Sequence, residues 1–319
     1  MKLQTSVPLD KAKNPIDYNS KVLLIGSCFS ENIGNKLDYF KFQYLQNPFG
    51  ILFHPLAIEN FLERAIEAKW YTESEVFERD GIWSCFDAHS KLNSLSQEQT
   101  LNALNGWLEE TASFLKEATH VFITLGTAWV YQHKSRELPV ANCHKVPQKE
   151  FEKKLLSPKV LIRSLEKSIN LLQSIGSKKQ IVFTVSPVRH LKDGFVENQR
   201  SKANLINAVH AVLSSNTDSG VGYFPSYEIM MDELRDYRFY EKDMVHPNAL
   251  GIDYIWERFT SVYISEKTQS VMDKVDKIQK RLLHKPFAPD SDSYKTFEKD
   301  LQAKIEYIQK KYPTLKFYR

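Results

Sequence analysis

The chain has 319 residues, 42% hydrophobic and 26% charged, with a formal net charge of +4. That balance fits a globular protein with room for one large α/β domain and an appendage, and it shows neither disorder nor a repeat array. So small a charge, without long runs of one sign, argues against nucleic acid or a membrane surface as partner.

No apolar stretch is long enough to cross a membrane, and Met1 to Pro8 lacks an apolar signal core, so a soluble cytoplasmic protein is expected. Three widely spaced cysteines, Cys28, Cys85 and Cys143, speak against a disulfide framework. The nine histidines include no i, i+4 pair and are joined by no Cys-x-x-Cys. No metal or cofactor is therefore expected.

In chain order, residues 1–20 read as an irregular lead-in. Lys21-Val22-Leu23-Leu24-Ile25-Gly26 is a short apolar run of the kind buried on both faces of a parallel sheet, ended by a glycine that permits a sharp turn. Ser30 to Leu37 then opens a helix, with Ile33 and Leu37 as an i, i+4 pair. Strand, tight turn and helix together lift Ser27 and Cys28 over the carboxyl edge of a sheet, against the positive end of a helix. There the helix N-terminus is expected to stabilise a Cys28 thiolate; Ser27 serves as a nucleophile only with a base beside it. The structural alternative is a buried small thiol beside an N-capping serine.

Phe42 to Leu45 reads as a second strand, and Pro55 to Ile66 as a helix. Asp80-Gly81, between Val76 to Arg79 and Ile82 to Phe86, signals a hairpin. A helix over 97–117 leads into the strand His120 to Leu125. A second hairpin sets Trp129-Val130-Tyr131 against Glu137 to Val140, followed by the loop Ala141 to Lys145. Ser157-Pro158 starts a helix that Gly176 stops, Ile181 to Val185 is the next buried strand, a helix lies near 198–214, and Val221 to Phe224 is the last strand. Buried strands alternating with amphipathic helices predict a mostly parallel sheet with helices on both faces.

Four segments fall where such a fold places function: Asn47-Pro48-Phe49-Gly50, Leu125-Gly126-Thr127-Ala128-Trp129, Ser186-Pro187-Val188-Arg189-His190, and Asp243-Met244-Val245-His246-Pro247-Asn248. In the last, an aspartate three residues ahead of a histidine can orient one ring nitrogen and leave the other as a base. The bland reading of that pair is a cap or a surface contact.

Gly26-Ser27-Cys28-Phe29-Ser30 closely resembles the motif of the GSCFA domain family, differing in the last residue. Asn47 to Gly50, Leu125 to Ala128, Asn142-Cys143-His144-Lys145, Ser186-Pro187-Val188 and Val245-His246-Pro247 resemble further blocks of it. The resemblance covers roughly residues 20–265. That family is similar to the SGNH (GDSL-like) hydrolases, which implies a flavodoxin-like three-layer α/β/α sandwich and acyl-transfer chemistry. Carried over by position, it puts Cys28 at the nucleophile, Ser27 at the acidic position of the first block, Gly50 as an oxyanion donor, and Asp243 and His246 as the dyad. Ala128 stands where an oxyanion asparagine is expected, with Thr127 or Asn142 as replacements.

Two functions follow. In the first, an ester or thioester of a small-molecule acyl substrate is cleaved or transferred by Cys28 (or Ser27) with His246 and Asp243. In the second, the scaffold is a non-catalytic binding module whose pocket draws on Asn47, His89, Asn142, His144 and Arg189.

The tail is a separate unit, 265–319 after a domain of 1–264. Val271, Val275, Ile278 and Leu282, then Tyr294, Phe297, Leu301, Ile305 and Ile308, mark two amphipathic helices broken at Pro286 and Pro289. They are expected to fold back on the domain or to pair with a second copy as a homodimer.

Overall fold

In the computed structural model, which describes residues 4–216, 220–285, 287–288 and 290–317, the elements follow in this order. β1 (Lys21–Gly26) and α1 (Cys28–Tyr39) lead to β2 (Gln43–Gln46), α2 (Pro55–Ile66), the hairpin β3 (Phe77–Arg79) and β4 (Ile82–Ser84), and α3 (Gln97–Glu117). β5 (His120–Leu125) is followed by β6 (Trp129–His133), β7 (Pro139–Val140), β8 (Phe151–Leu155) and α4 (Pro158–Ser174). Then come β9 (Gln180–Val185), α5 (Phe195–Ser215), β10 (Val221–Phe224), the single turn α6 (Ser226–Glu228), α7 (Ala249–Tyr263), α8 (Glu266–Leu282) and α9 (Asp292–Lys311).

The apolar runs of β1, β5 and β9 lie side by side in one five-stranded parallel sheet, ordered β10-β9-β5-β1-β2. Counted in chain order, its strands run second, first, third, fourth, fifth, the flavodoxin-like winding. Its direction reverses between β1 and β5, and the crevice beyond their carboxyl ends is the place such sheets offer a ligand.

Alternation along the central strands divides the core. Leu23 and Ile25 of β1, Ile123 of β5 and Phe183 of β9 pack with Leu62 of α2, Leu104 of α3, Leu165 of α4 and Leu205 of α5. Val22, Leu24, Phe122 and Val182 face Ile33 and Leu37 of α1 and Ile255 and Phe259 of α7. The fold is thus a three-layer α/β/α sandwich.

α8 and α9 join the second layer: Val275, Ile278, Leu301 and Ile305 share its core. Tyr39 donates its hydroxyl to Asp276 (2.9 Å), and Gln279 donates to the Tyr39 carbonyl (2.8 Å). The expected break at Pro286 and Pro289 lies outside the described residues.

β3 and β4 pair across Asp80-Gly81, both at positive φ, as that dipeptide dictates. β6 pairs with β7 as expected and also with β8, which the sequence reading leaves out. α4 stops at Ser174, two residues short of Gly176, and α5 begins at Phe195 rather than 198. Among the described residues, no helix is long and apolar enough to cross a membrane.

Candidate active site

At the end of β1 the backbone turns through Gly26, at φ +129°, where a Cβ would fall 2.1 Å from the Thr124 carbonyl oxygen. Only glycine lets the two strand ends approach so closely. Ser27 follows as the N-cap of α1: it is fully buried, and its hydroxyl accepts the Phe29 N–H at 3.4 Å. Cys28, the first residue of the helix, is half-buried.

Burial, reinforced by Glu31, raises the Cys28 pKa above that of an ordinary thiol. The Lys202 ammonium and the helix N–H groups of Cys28 and Phe29 pull the other way without reversing it. This corrects the expected thiolate: removal of the sulfur from water outweighs the helix terminus.

Lys202 is the residue sequence reasoning misses. It lies on α5, 1% exposed, and its Nζ donates to the Gly126 and Ser186 carbonyls, each at 2.9 Å. Those oxygens lie just beyond β5 and β9, so the lysine ties two strand ends together under the crevice. Desolvation lowers its pKa to about 7, while the charges of Cys28 and Glu228 hold it up.

His190 is the next group in line. It stacks edge-on against Phe53 at 5.4 Å, and its Nε2 is buried without a hydrogen-bond partner among the described residues. Burial, with Lys202 and His246 nearby, drives its pKa to about 3, so it stays neutral. Gly126 leaves the space these two rings enclose: a Cβ there would meet Phe53 at 3.0 Å and His190 Nε2 at 3.4 Å.

Asp243 and His246 sit on the loop ahead of α7. His246 donates Nδ1–H to Asp243 Oδ2 at 2.7 Å, leaving Nε2 as the basic nitrogen. Asp243 Oδ1 accepts the N–H groups of Val245 (2.9 Å) and His246 (3.0 Å), and these bonds, with the imidazole, lower its pKa to about 2. The loop is pinned by Glu241 N–H on the His246 carbonyl (2.8 Å) and by Asn248, which caps α7 through Gly251 N–H (3.1 Å).

A protein-family model described as the GSCFA family matches residues 21–259. The chain belongs to the GSCFA family. A second model, the GSCFA C-terminal domain, matches residues 275–319, which include the second half of α8, from Val275, and all of α9. Among solved structures, this GSCFA chain is similar to a carbohydrate esterase family 3 protein from Talaromyces cellulolyticus, at 10% identity and TM-score 0.37, covering 80% of this chain and 99% of that one. A serine-to-alanine mutant of an acetyl esterase with acetate ion matches with the same identity, coverage and TM-score. None of the curated proteins matches the chain.

The remaining motif blocks of the GSCFA chain divide into two groups. Asn47 meets the β1 turn directly: its Oδ1 accepts the Gly26 N–H at 2.9 Å, and its Nδ2 is buried without a partner among the described residues. Gly50 closes the turn Asn47–Gly50 after β2 by donating its N–H to the Asn47 carbonyl at 2.7 Å, so the donor expected there for an oxyanion is already spent. A Cβ on Gly50, at φ +67°, would strike the His89 Cβ at 2.4 Å. Thr127 is spent likewise: its hydroxyl accepts the Trp129 N–H and shares a hydrogen bond with Ser201, both at 3.0 Å.

The second group is structural. His144 has both ring nitrogens engaged, Nε2–H on the Cys85 carbonyl (2.7 Å) and Nδ1 with Asn93 (3.3 Å), and Asn142 accepts the His144 N–H (2.9 Å). His89 caps the turn Ser90–Leu92 through the Lys91 N–H at 3.2 Å. Among the described residues, no three His, Cys, Asp or Glu side chains converge as metal ligands.

Proposed function

We propose that this GSCFA protein is an acyl-transfer enzyme of the SGNH kind, a hydrolase or acyltransferase acting on an ester or thioester through Cys28, His246 and Asp243. The observation that carries the reading is the oriented dyad on the loop ahead of α7: an imidazole with Nδ1 held by a carboxylate at 2.7 Å. Between the two adjacent nucleophiles, Cys28 is preferred because the Ser27 hydroxyl is sealed inside as a cap.

In this mechanism His246 Nε2 takes the thiol proton as Cys28 Sγ attacks the acyl carbonyl, and Asp243 stabilises the imidazolium formed. His246 then returns the proton to the leaving alcohol or thiol. A second nucleophile, water or an acceptor, releases the acyl group by the same route reversed. The oxyanion is met by the Cys28 N–H and by Asn47 Nδ2, the buried amide left without a partner at the turn. Lys202 supplies the positive charge that favours thiolate as the proton leaves.

The raised Cys28 pKa also supports a second reading, a binding module without turnover. Release of p-nitrophenol from p-nitrophenyl acetate by the wild type, lost in Cys28→Ala, supports the enzyme. Equal background release by both proteins sinks it in favour of the binding module.

A further inference from the structure

We propose that the cavity beside Arg189 is a subsite for an anionic group, a carboxylate or phosphate carried by the substrate. It rests on the acyl-transfer reading in taking that anion to belong to the acyl substrate.

Arg189 follows the end of β9, one residue before His190. Its guanidinium is half-buried, yet the protein gives it weak partners: the Met231 thioether sulfur at 3.3 Å from Nε and 3.2 Å from Nη2, and the Tyr240 hydroxyl at 3.4 Å. Among the described residues no carboxylate forms an ion pair with it. A guanidinium has five N–H donors in a rigid fork suited to carboxylate or phosphate, and a thioether is a poor acceptor.

The nearby arginines differ. Arg235 is paired with Asp232 at 2.8 Å and Arg238 with Asp236 at 2.9 Å. Arg189, Met231, Arg235, Asp236, Tyr237 and Tyr240 line a cavity of about 270 Å³. With Arg235 and Asp236 each neutralised by a neighbour, Arg189 is the uncompensated charge in that wall. The space suits one anionic group on a short chain, being smaller than a typical drug-sized pocket of roughly 300–1,000 Å³.

Its position connects it to the dyad. Tyr240, over which Arg189 lies at 5.8 Å, forms a backbone bridge with Pro247, the residue after His246. Tyr240 thus joins the wall of this cavity to the loop that carries Asp243 and His246.

The test is calorimetric titration of succinate, inorganic phosphate and neutral succinamide into the full chain, Arg189→Gln and Arg189→Lys at low salt. The wild type is expected to bind succinate or phosphate at least tenfold more tightly than Arg189→Gln does, with Arg189→Lys between them, and to ignore succinamide. Which anion binds separates carboxylate from phosphate recognition. Absence of binding by both anions, succinamide binding as well as succinate, or equal binding by the lysine and wild-type proteins overturns the subsite; these arms hold even should Arg189→Gln fold poorly. Arginine-dependent anion binding without acylation of Cys28 would leave the subsite standing and remove the acyl-transfer reading; acylation without such binding would do the opposite.

Discussion

Asp243 holds His246 at two points, Oδ2 on the ring Nδ1–H at 2.7 Å and Oδ1 on the backbone N–H at 3.0 Å, so the orientation of the imidazole and the shape of its loop are fixed together. Replacing Asp243 by Asn keeps the size but removes the charge that stabilises an imidazolium. Ester turnover is expected to fall by about 10²–10⁴, read as kcat with p-nitrophenyl acetate. Unchanged kcat would make the pair a loop brace only. The depressed carboxyl value sets a second expectation: the stabilisation from this pair is present above the ordinary carboxyl range and is lost as pH falls through about 2, so the loop stays formed at pH 5.

The Cys28 thiol is held up by burial and eased by Lys202. Its rate of alkylation by iodoacetamide is expected to rise with a midpoint above that of a free cysteine, because burial outweighs the helix terminus. A midpoint near neutrality would contradict that balance.

His54 is buried in a neutral form that two bonds require: Nδ1 accepts the Ala57 N–H that caps α2, and Nε2–H donates to the Val140 carbonyl, both at 3.1 Å. Burial lowers its pKa to about 4. The unfolded chain therefore binds a proton first, and stability is expected to fall as pH drops from about 6.5 to about 4, by more than about 1 kcal/mol per pH unit within that window. His190, lowered to about 3, acts with the same sign. Urea midpoints at pH 7 and 5 measure the slope, which His54→Asn should flatten; an identical slope in the variant would assign the acid sensitivity elsewhere.

At Gly26 a methyl group has nowhere to go, with φ at +129° and the Thr124 carbonyl 2.1 Å from where Cβ would stand. Gly26→Ala is expected to cost at least about 3 kcal/mol in denaturant unfolding. A loss under about 1 kcal/mol would mean that the turn reshapes easily, and with it the seat of Cys28.

Much of this was legible in residue order because buried parallel strands announce themselves. The apolar runs of β1, β5 and β9 needed no tertiary information, and the Asp-x-x-His spacing pointed to its own hydrogen bond. β8 escaped because Phe151 and Leu155 are its only apolar residues, its alternation filled out by Glu152 and Lys153-Lys154. Lys202 escaped because a helical lysine is ordinarily solvated. A signal for it existed: Asn198, Ser201, Leu205, Ala208 and Val212 recur at helical spacing, and Lys202 lies on that same buried stripe. The hydrogen bonds of Thr127 to Ser201 on α5 and of His144 to the Cys85 carbonyl could not be read from sequence, since partners so far apart in the chain meet only in the finished fold.

The most direct measurement is peptide mapping by mass after brief exposure of the folded chain to p-nitrophenyl acetate and an acid quench. An acetyl group on the peptide bearing Cys28 is expected in the wild type, absent from Cys28→Ala and formed at least about a hundredfold more slowly in His246→Ala. Label on Ser27, label that forms equally fast without His246, or no label at the turn would contradict the Cys28–His246–Asp243 mechanism.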